Sequence, residues 1–492
     1  MPEPLSSAAS GEADADVLSG ARPLPVDKRE LRGWYAFAFA SEPISAVAIS
    51  GFFPLLIQEA ALAAAGFPAV CPNIASPALA ALAFPATRNA TAFLYSGVEP
   101  AFYPSSSCTL LPANGSGARV LCPGLPSTSE ECLTARGIAG QLFPLRTPST
   151  SGVAWDPTAY VTALVSIATL LQLIIFIALG SLADYGTLRT RILQGLSLLC
   201  ILFSTLALGV GPLAYEAAGT LFVLLAVAYG ATFVQYNGFL PQLAAADAAT
   251  LAAPPERREA VLHSRMNAIS SHGYGWGYVA AIVVLLACVG VTVGAPGSAM
   301  DAYRVNVALA GFWFLALGLL PFAWMRLRPG PPLPAGANHC QLPWGEALHT
   351  LRQHRRLPNT FLLLGCWFFY ADGMNLIGNI GAQYANVYVD WRPIPKGLGL
   401  ACMLLLVPIF AAAGNFVWPW VEQRYALRAW QVVVVNCLLC ACVPAYGLLG
   451  LLHPALGFRR WYDMLLGVTL YGVSGQAGCW RRAVCRPFSP LA

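Results

Sequence analysis

Apolar stretches of about 20 residues, the length a helix needs to cross roughly 30 Å of hydrocarbon, recur along the whole chain. Ten are present, at about 33–57, 158–180, 192–211, 218–240, 273–293, 304–325, 359–380, 397–420, 429–452 and 463–480. In lipid the backbone has no water to bond, so each stretch must satisfy its own N–H and C=O groups as a helix. The fold class expected is an all-α polytopic membrane protein with about ten transmembrane helices. Charge is correspondingly scarce. Asp, Glu, Lys and Arg supply 10% of the 492 residues, against about 25% in soluble domains. The net charge of +5 comes from scarcity of both signs, with no basic cluster, which argues against a soluble globule, a disordered chain and a nucleic-acid binder.

The basic residues fix an orientation. With the N-terminus in the cytosol, 19 of the 28 Lys and Arg fall in inside segments. The short outside loops hold five, namely Arg304, Arg392, Lys396, Arg459 and Arg460. That bias is the positive-inside pattern. The long first loop, 66–157, agrees with it. It is rich in Pro, Ser and Ala, carries two glycosylation acceptors at Asn89 and Asn114, and holds Cys71, Cys108, Cys122 and Cys132. Sequons and cysteines together fit an oxidising lumenal compartment, with three disulfide connectivities open. Cys437, Cys440 and Cys442 lie in a span without a second ligand group, so they read as small packing residues. No metal or cofactor is expected.

The expected organisation is a disordered cytosolic tail over 1–32, with no apolar core for a signal peptide, and a six-helix half over 33–325. A basic cytosolic linker over 326–358, an incomplete second half over 359–480 and an atypical tail over 481–492 follow. Six spans, a linker and a second half form the plan of major facilitator transporters.

Two carboxylates are expected within the membrane, where an ionised side chain costs on the order of 2.5–3.5 kcal/mol. Glu42 precedes Pro43, which removes a backbone bond and kinks its helix. Asp372 is followed by Asn375 and the helix-loosening Gly378, Asn379 and Gly381. Their spans, the first and the seventh, are equivalent in the two halves, and interrupted helices at matching positions point to a transporter's substrate site. No Lys or Arg lies deep in a span to neutralise them, so they are expected to take a proton or an ammonium-bearing substrate. Gln235 and Asn237, an amide pair in the fourth span, should face inward, bonding substrate or neighbouring helices. Tyr274, Trp276 and Tyr278 read as interface anchors at the start of the fifth span. Between the second and third spans, Gly180, Asp184 and Arg189 form a turn able to break and remake charge-assisted bonds as two halves rock. This turn is similar to the Gly-x-Leu-Ala-Asp loop of major facilitators, departing from it at Tyr185, where a basic residue is usual.

Five segments carry a closer resemblance: Glu30-Leu-Arg-Gly-Trp-Tyr-Ala-Phe-Ala-Phe-Ala-Ser-Glu-Pro, Phe53-Pro-Leu-Leu, Gly180-x-Leu-Ala-Asp-Tyr-Gly, Asn237-x-Phe-Leu-Pro and Tyr370-x-Asp-Gly. From about 30 to 475 the chain resembles the autophagy-related protein 22 family. The resemblance implies a vacuolar effluxer that exports amino acids released by autophagic degradation to the cytosol. Members have twelve spans, so this chain is expected to lack the last two, through a gene-model error, splicing or a short form. The leading expectation is alternating access, coupled to protons, carrying neutral amino acids. Another small-solute transporter, or a non-transporting truncated protein, is the alternative. A membrane enzyme is not expected, since Asp372 has no second mid-span aspartate to pair with.

Overall fold

The computed structural model describes residues 25–64, 109–113, 117–121, 155–211, 213–294, 299–326, 342–425, 429–452 and 456–474, with 328, 330 and 427 between them. The first span is one rod. Helix α1 (Lys28–Pro43) passes without a break into a π-helical stretch, Ile44–Phe52, and then into α2 (Phe53–Ala64). After it, β1 (Thr109–Ala113) and β2 (Gly117–Leu121) pair antiparallel, with Thr109 opposite Leu121. The remaining elements are helical. They are α3 (Pro157–Leu182), α4 (Leu188–Thr205), α5 (Tyr215–Asn237), α6 (Phe239–Ala245), α7 (Ala248–Ala252), α8 (Pro255–Gly294) and α9 (Ala299–Gly318) in the first half. The linker contributes α10 (Leu342–Arg352), and α11 (Pro358–Tyr388), α12 (Lys396–Arg424), α13 (Ala429–Leu452) and α14 (Trp461–Ser474) follow. Among the described residues, eight helices are long and apolar enough to cross a membrane. A shorter apolar helix covers Val434–Gly450. Apart from that hairpin, the described residues form an all-α polytopic bundle.

Three expectations need correction. The first helix begins at Lys28, so the last residues of the expected tail are already wound. The fifth span begins at Pro255, not near 273. Pro255 at the first helical position has a preset φ, and Glu256 favours the helix N-terminus, so winding starts in a polar stretch that hydropathy passes over. The residues 271–278 therefore lie mid-helix. The seventh span, α11, is an uninterrupted α-helix through Gly373, Gly378 and Gly381. Gly378 serves packing instead, since a Cβ there would lie 2.5 Å from the Tyr471 hydroxyl of α14.

We call the end carrying Lys28 and the linker the inner end. One apolar core runs through the first half from near its inner end and takes in residues of the second half toward the outer end. It joins Trp34, Phe37, Phe52 and Phe53 of the first span to Ala382, Ala385, Trp391, Leu400 and Leu404 of the second half. Toward the inner end, Trp418 and Val432 form a separate cluster within the second half. The elements α8 and α12 pack on each other and link the halves. Leu170, Leu173 and Leu286 are exposed, as lipid-facing side chains are. The two equivalent spans differ sharply. In the first span 72% of the most apolar window is buried; in the seventh, none of its described residues is.

Candidate functional site

Glu42 sits at the inner-half mouth of the first span's π-helical stretch, and Pro43 explains the winding. A proline cannot bond the carbonyl four residues before it, here that of Phe39. The Trp313 indole of α9 donates to that carbonyl at 3.2 Å. The orphaned acceptor is thereby satisfied from another helix, and the chain rewinds instead of kinking, the kind of π-bulge often found at functional sites.

Glu42 is half-buried and borders a cavity of about 10 Å³, lined also by Ser41, Tyr229, Thr232, Tyr236 and Tyr274. That volume holds about one water. No Lys or Arg lines it. Tyr229, on α5, hydrogen-bonds Ser45 one turn beyond Glu42. The cavity floor is set by a reciprocal clasp. The Trp34 indole donates to the Tyr236 carbonyl at 3.4 Å, the Tyr236 hydroxyl donates to the Trp34 carbonyl at 3.1 Å, and the two rings stack 4.5 Å apart. On α8, Gly273 admits the Trp34 ring, since a Cβ would lie 2.4 Å from it, and Gly277 lies against the stem of Glu42. Every wall of this pocket belongs to the first half. Tyr274, read from sequence as an interface anchor, lines it, while Trp276 is 51% exposed.

The other expected residues fall elsewhere. The Gln235 amide donates to the Leu179 carbonyl at 3.2 Å and ties α5 to α3. The Asn237 amide donates to the Phe233 carbonyl one turn back at 2.8 Å, and its buried carbonyl oxygen has no hydrogen-bond partner among the described residues. The side chains of Asp372 and Asn375 lie outside the described residues. Their helix, α11, packs against the π-helical stretch and α2 of the first span, beyond α1, which carries Glu42. Asn89, Asn114 and the four loop cysteines also lie outside the described residues. Among the described residues no group of His, Cys, Asp and Glu could hold a metal ion.

The turn between α3 and α4 is a junction. Arg189 pairs with Asp184, donates to the Gly238 carbonyl at the end of α5, and lies 5.6 Å from the Phe239 ring centre. Two of the segments quoted above, Gly180–Gly186 and Asn237–Pro241, thus meet through one guanidinium. Gly180 has open space around it, and Gly186 adopts φ +55°, which favours glycine. Tyr185, the departure from the loop pattern, has its own partner. Its hydroxyl donates to Glu346 of α10 at 2.9 Å. That bond, ahead of partial burial, raises the phenol above its ordinary value.

Sequence reasoning missed two polar contacts. Glu30, buried, takes a two-pronged bond from Arg328 of the linker, at 2.7 and 2.9 Å. At the outer end, Asn386 of α11 donates to Gln58 at 2.8 Å and to Glu59 at 3.2 Å, and Gln58 donates to Thr158 at 3.0 Å. Gln58 and Asn386 are buried, so this network crosses between the halves inside the protein. Glu30 opens the most specific of the quoted segments, which was the one available signal. Nothing local marks Asn386.

A bundle of membrane-spanning helices, with a carboxylate beside a small cavity in its first half, is that of a multi-pass membrane protein. The family described as "Vacuole effluxer Atg22 like" matches residues 26–489, and the chain belongs to that family. Autophagy-related protein 22-1 of Aspergillus niger is 24% identical over 91% of this chain and 76% of its own length. Autophagy-related protein 22 of Coccidioides immitis is 23% identical over 91% of this chain and 74% of its own. Among solved structures, a peptide transporter (POT) in complex with alafosfalin aligns with a TM-score of 0.39 and 16% identity, over 64% of this chain and 71% of that one.

Proposed function

We propose that this vacuole effluxer carries amino acids, neutral ones foremost, from the lumen to the cytosol by alternating access, with Glu42 carrying the coupled proton. The observation behind the reading is Glu42 itself: a carboxylate in the middle of a span, beside a small cavity with no Lys or Arg in its lining. Burying a carboxylate without a counter-charge is costly, and a proton removes that cost. The cavity holds about one water, so it suits a proton path better than a cargo site. Cargo then binds between the halves, where α11, the helix of Asp372 and Asn375, packs on the first span. In this reading the inner end is cytosolic. The shared outer core and the Asn386 contacts with Gln58 and Glu59 form a closed lumenal side, and the separate Trp418 cluster belongs to a cytosolic side less tightly joined.

Uptake of a labelled neutral amino acid into vesicles holding the purified protein tests it. A pH gradient should accelerate transport, and Glu42→Gln should abolish the acceleration while leaving binding of the amino acid measurable. Acceleration that survives Glu42→Gln removes Glu42 from the proton path. Transport unchanged by Asp372→Asn removes Asp372 from the cargo site.

A further inference from the structure

We infer that α10, the linker helix, is an interfacial helix that docks the inner end of the bundle on an anionic membrane surface, and that the Tyr185–Glu346 bond passes this docking to the turn between α3 and α4. The helix has three faces. Pro343 is buried and Ala347 half-buried against the bundle, and Glu346 on the same side takes the Tyr185 bond. A second face is apolar and bare. Trp344, Leu348 and Leu351, spaced four and three residues apart so that they align on one side, are 47%, 50% and 59% exposed. The third carries His349 and Arg352, and the turn that follows adds Arg355 and Arg356, all exposed. From 347 to 357 there is no acidic residue.

The occupant follows from position and charge. The helix packs on α3, whose Leu170, Leu173 and Ile174 are exposed as part of the lipid-facing belt. The bare face of α10 thus continues a surface already turned to lipid. An apolar stripe flanked by arginines on a short helix lies in the headgroup plane, and anionic headgroups attract juxtamembrane Arg. The guanidinium fork also matches phosphate oxygens. Since Glu346 leaves on the opposite side to hold Tyr185, movement of α10 on the membrane pulls on the residue next to Asp184, whose carboxylate pairs with Arg189.

Amide hydrogen exchange of the full chain tests this, in vesicles of phosphatidylcholine alone or mixed with phosphatidylserine. Exchange over 342–357 should slow by roughly fivefold or more in the anionic vesicles at low salt, and added salt should erase the difference. The combined Arg352→Gln, Arg355→Gln and Arg356→Gln variant should show no lipid dependence. Tyr185→Phe should keep the protection of α10 and lose its effect on exchange at 183–187. Equal exchange in both vesicles, with the unaltered chain at low salt, overturns the proposal. Protection that follows protein-to-lipid ratio instead of lipid charge also overturns it and assigns the face to a second copy. No transport is read, so the outcome is independent of what the protein carries.

Discussion

Gly273 and Gly275 lie two residues apart on α8 under opposite constraints. A Cβ at Gly273 would lie 2.4 Å from the Trp34 ring, whereas nothing lies within 4 Å of one at Gly275. Trp34 is fully buried and clasped to Tyr236, so it cannot step aside cheaply. Gly273→Ala should therefore cost about 1–3 kcal/mol, the usual penalty of overpacking. Gly275→Ala should be neutral or gain up to about 1 kcal/mol, because alanine favours the helix. Thermal unfolding of the two purified variants separates them, and equal shifts would refute the packing argument. Glu30 makes a second test at this scale. Glu30→Gln leaves the Arg328 guanidinium facing a neutral amide, and removing one member of a buried pair costs about 3–5 kcal/mol. Replacing both Glu30 and Arg328 by leucine should recover much of that loss in the same assay.

Among the elements, the first span illustrates what a sequence conveys and where it stops. Pro43 within an apolar run announces a disturbed helix, and the disturbance is there. Its form depends on Trp313, a donor 274 residues away that bonds the Phe39 carbonyl. The span boundaries were similarly legible wherever the apolar run ended with the helix. They failed at α8, where the helix extends inward through polar residues whose winding owes nothing to hydropathy. In α11 the cluster of Gly378, Asn379 and Gly381 suggested loosening, yet helix-breaking residues are tolerated where a neighbour such as Tyr471 packs closely. The proline account yields a double-mutant cycle. Trp313→Phe leaves the Phe39 carbonyl without its donor, at a cost of about 1–3 kcal/mol. In a Pro43→Ala background, which restores an N–H to that carbonyl, the same change should cost about 1 kcal/mol less. Additive effects in the unfolding assay would mean that Trp313 does not compensate for the proline.

For the whole molecule, the succession of membrane-spanning helices was legible, while the contacts that hold distant spans together were not. Asn386 and Gln58 stand 328 residues apart, and neither bears a local signature. Asn386→Ala should loosen the outer end selectively. Hydrogen exchange should rise over 56–60 and 383–388 and stay unchanged over 34–40, where Trp34 and Phe37 are buried within the first half. A uniform rise would point instead to general destabilisation. The Glu30–Arg328 pair has a consequence in time as well as in space. Chains grow from the N-terminus, so the Glu30 carboxylate emerges 298 residues before the arginine that clasps it. The pair can close only when all six spans of the first half have been synthesised. One buried bond thus records completion of the half, and a ribosome stalled before Arg328 would leave an assembly whose beginning is still waiting for its end.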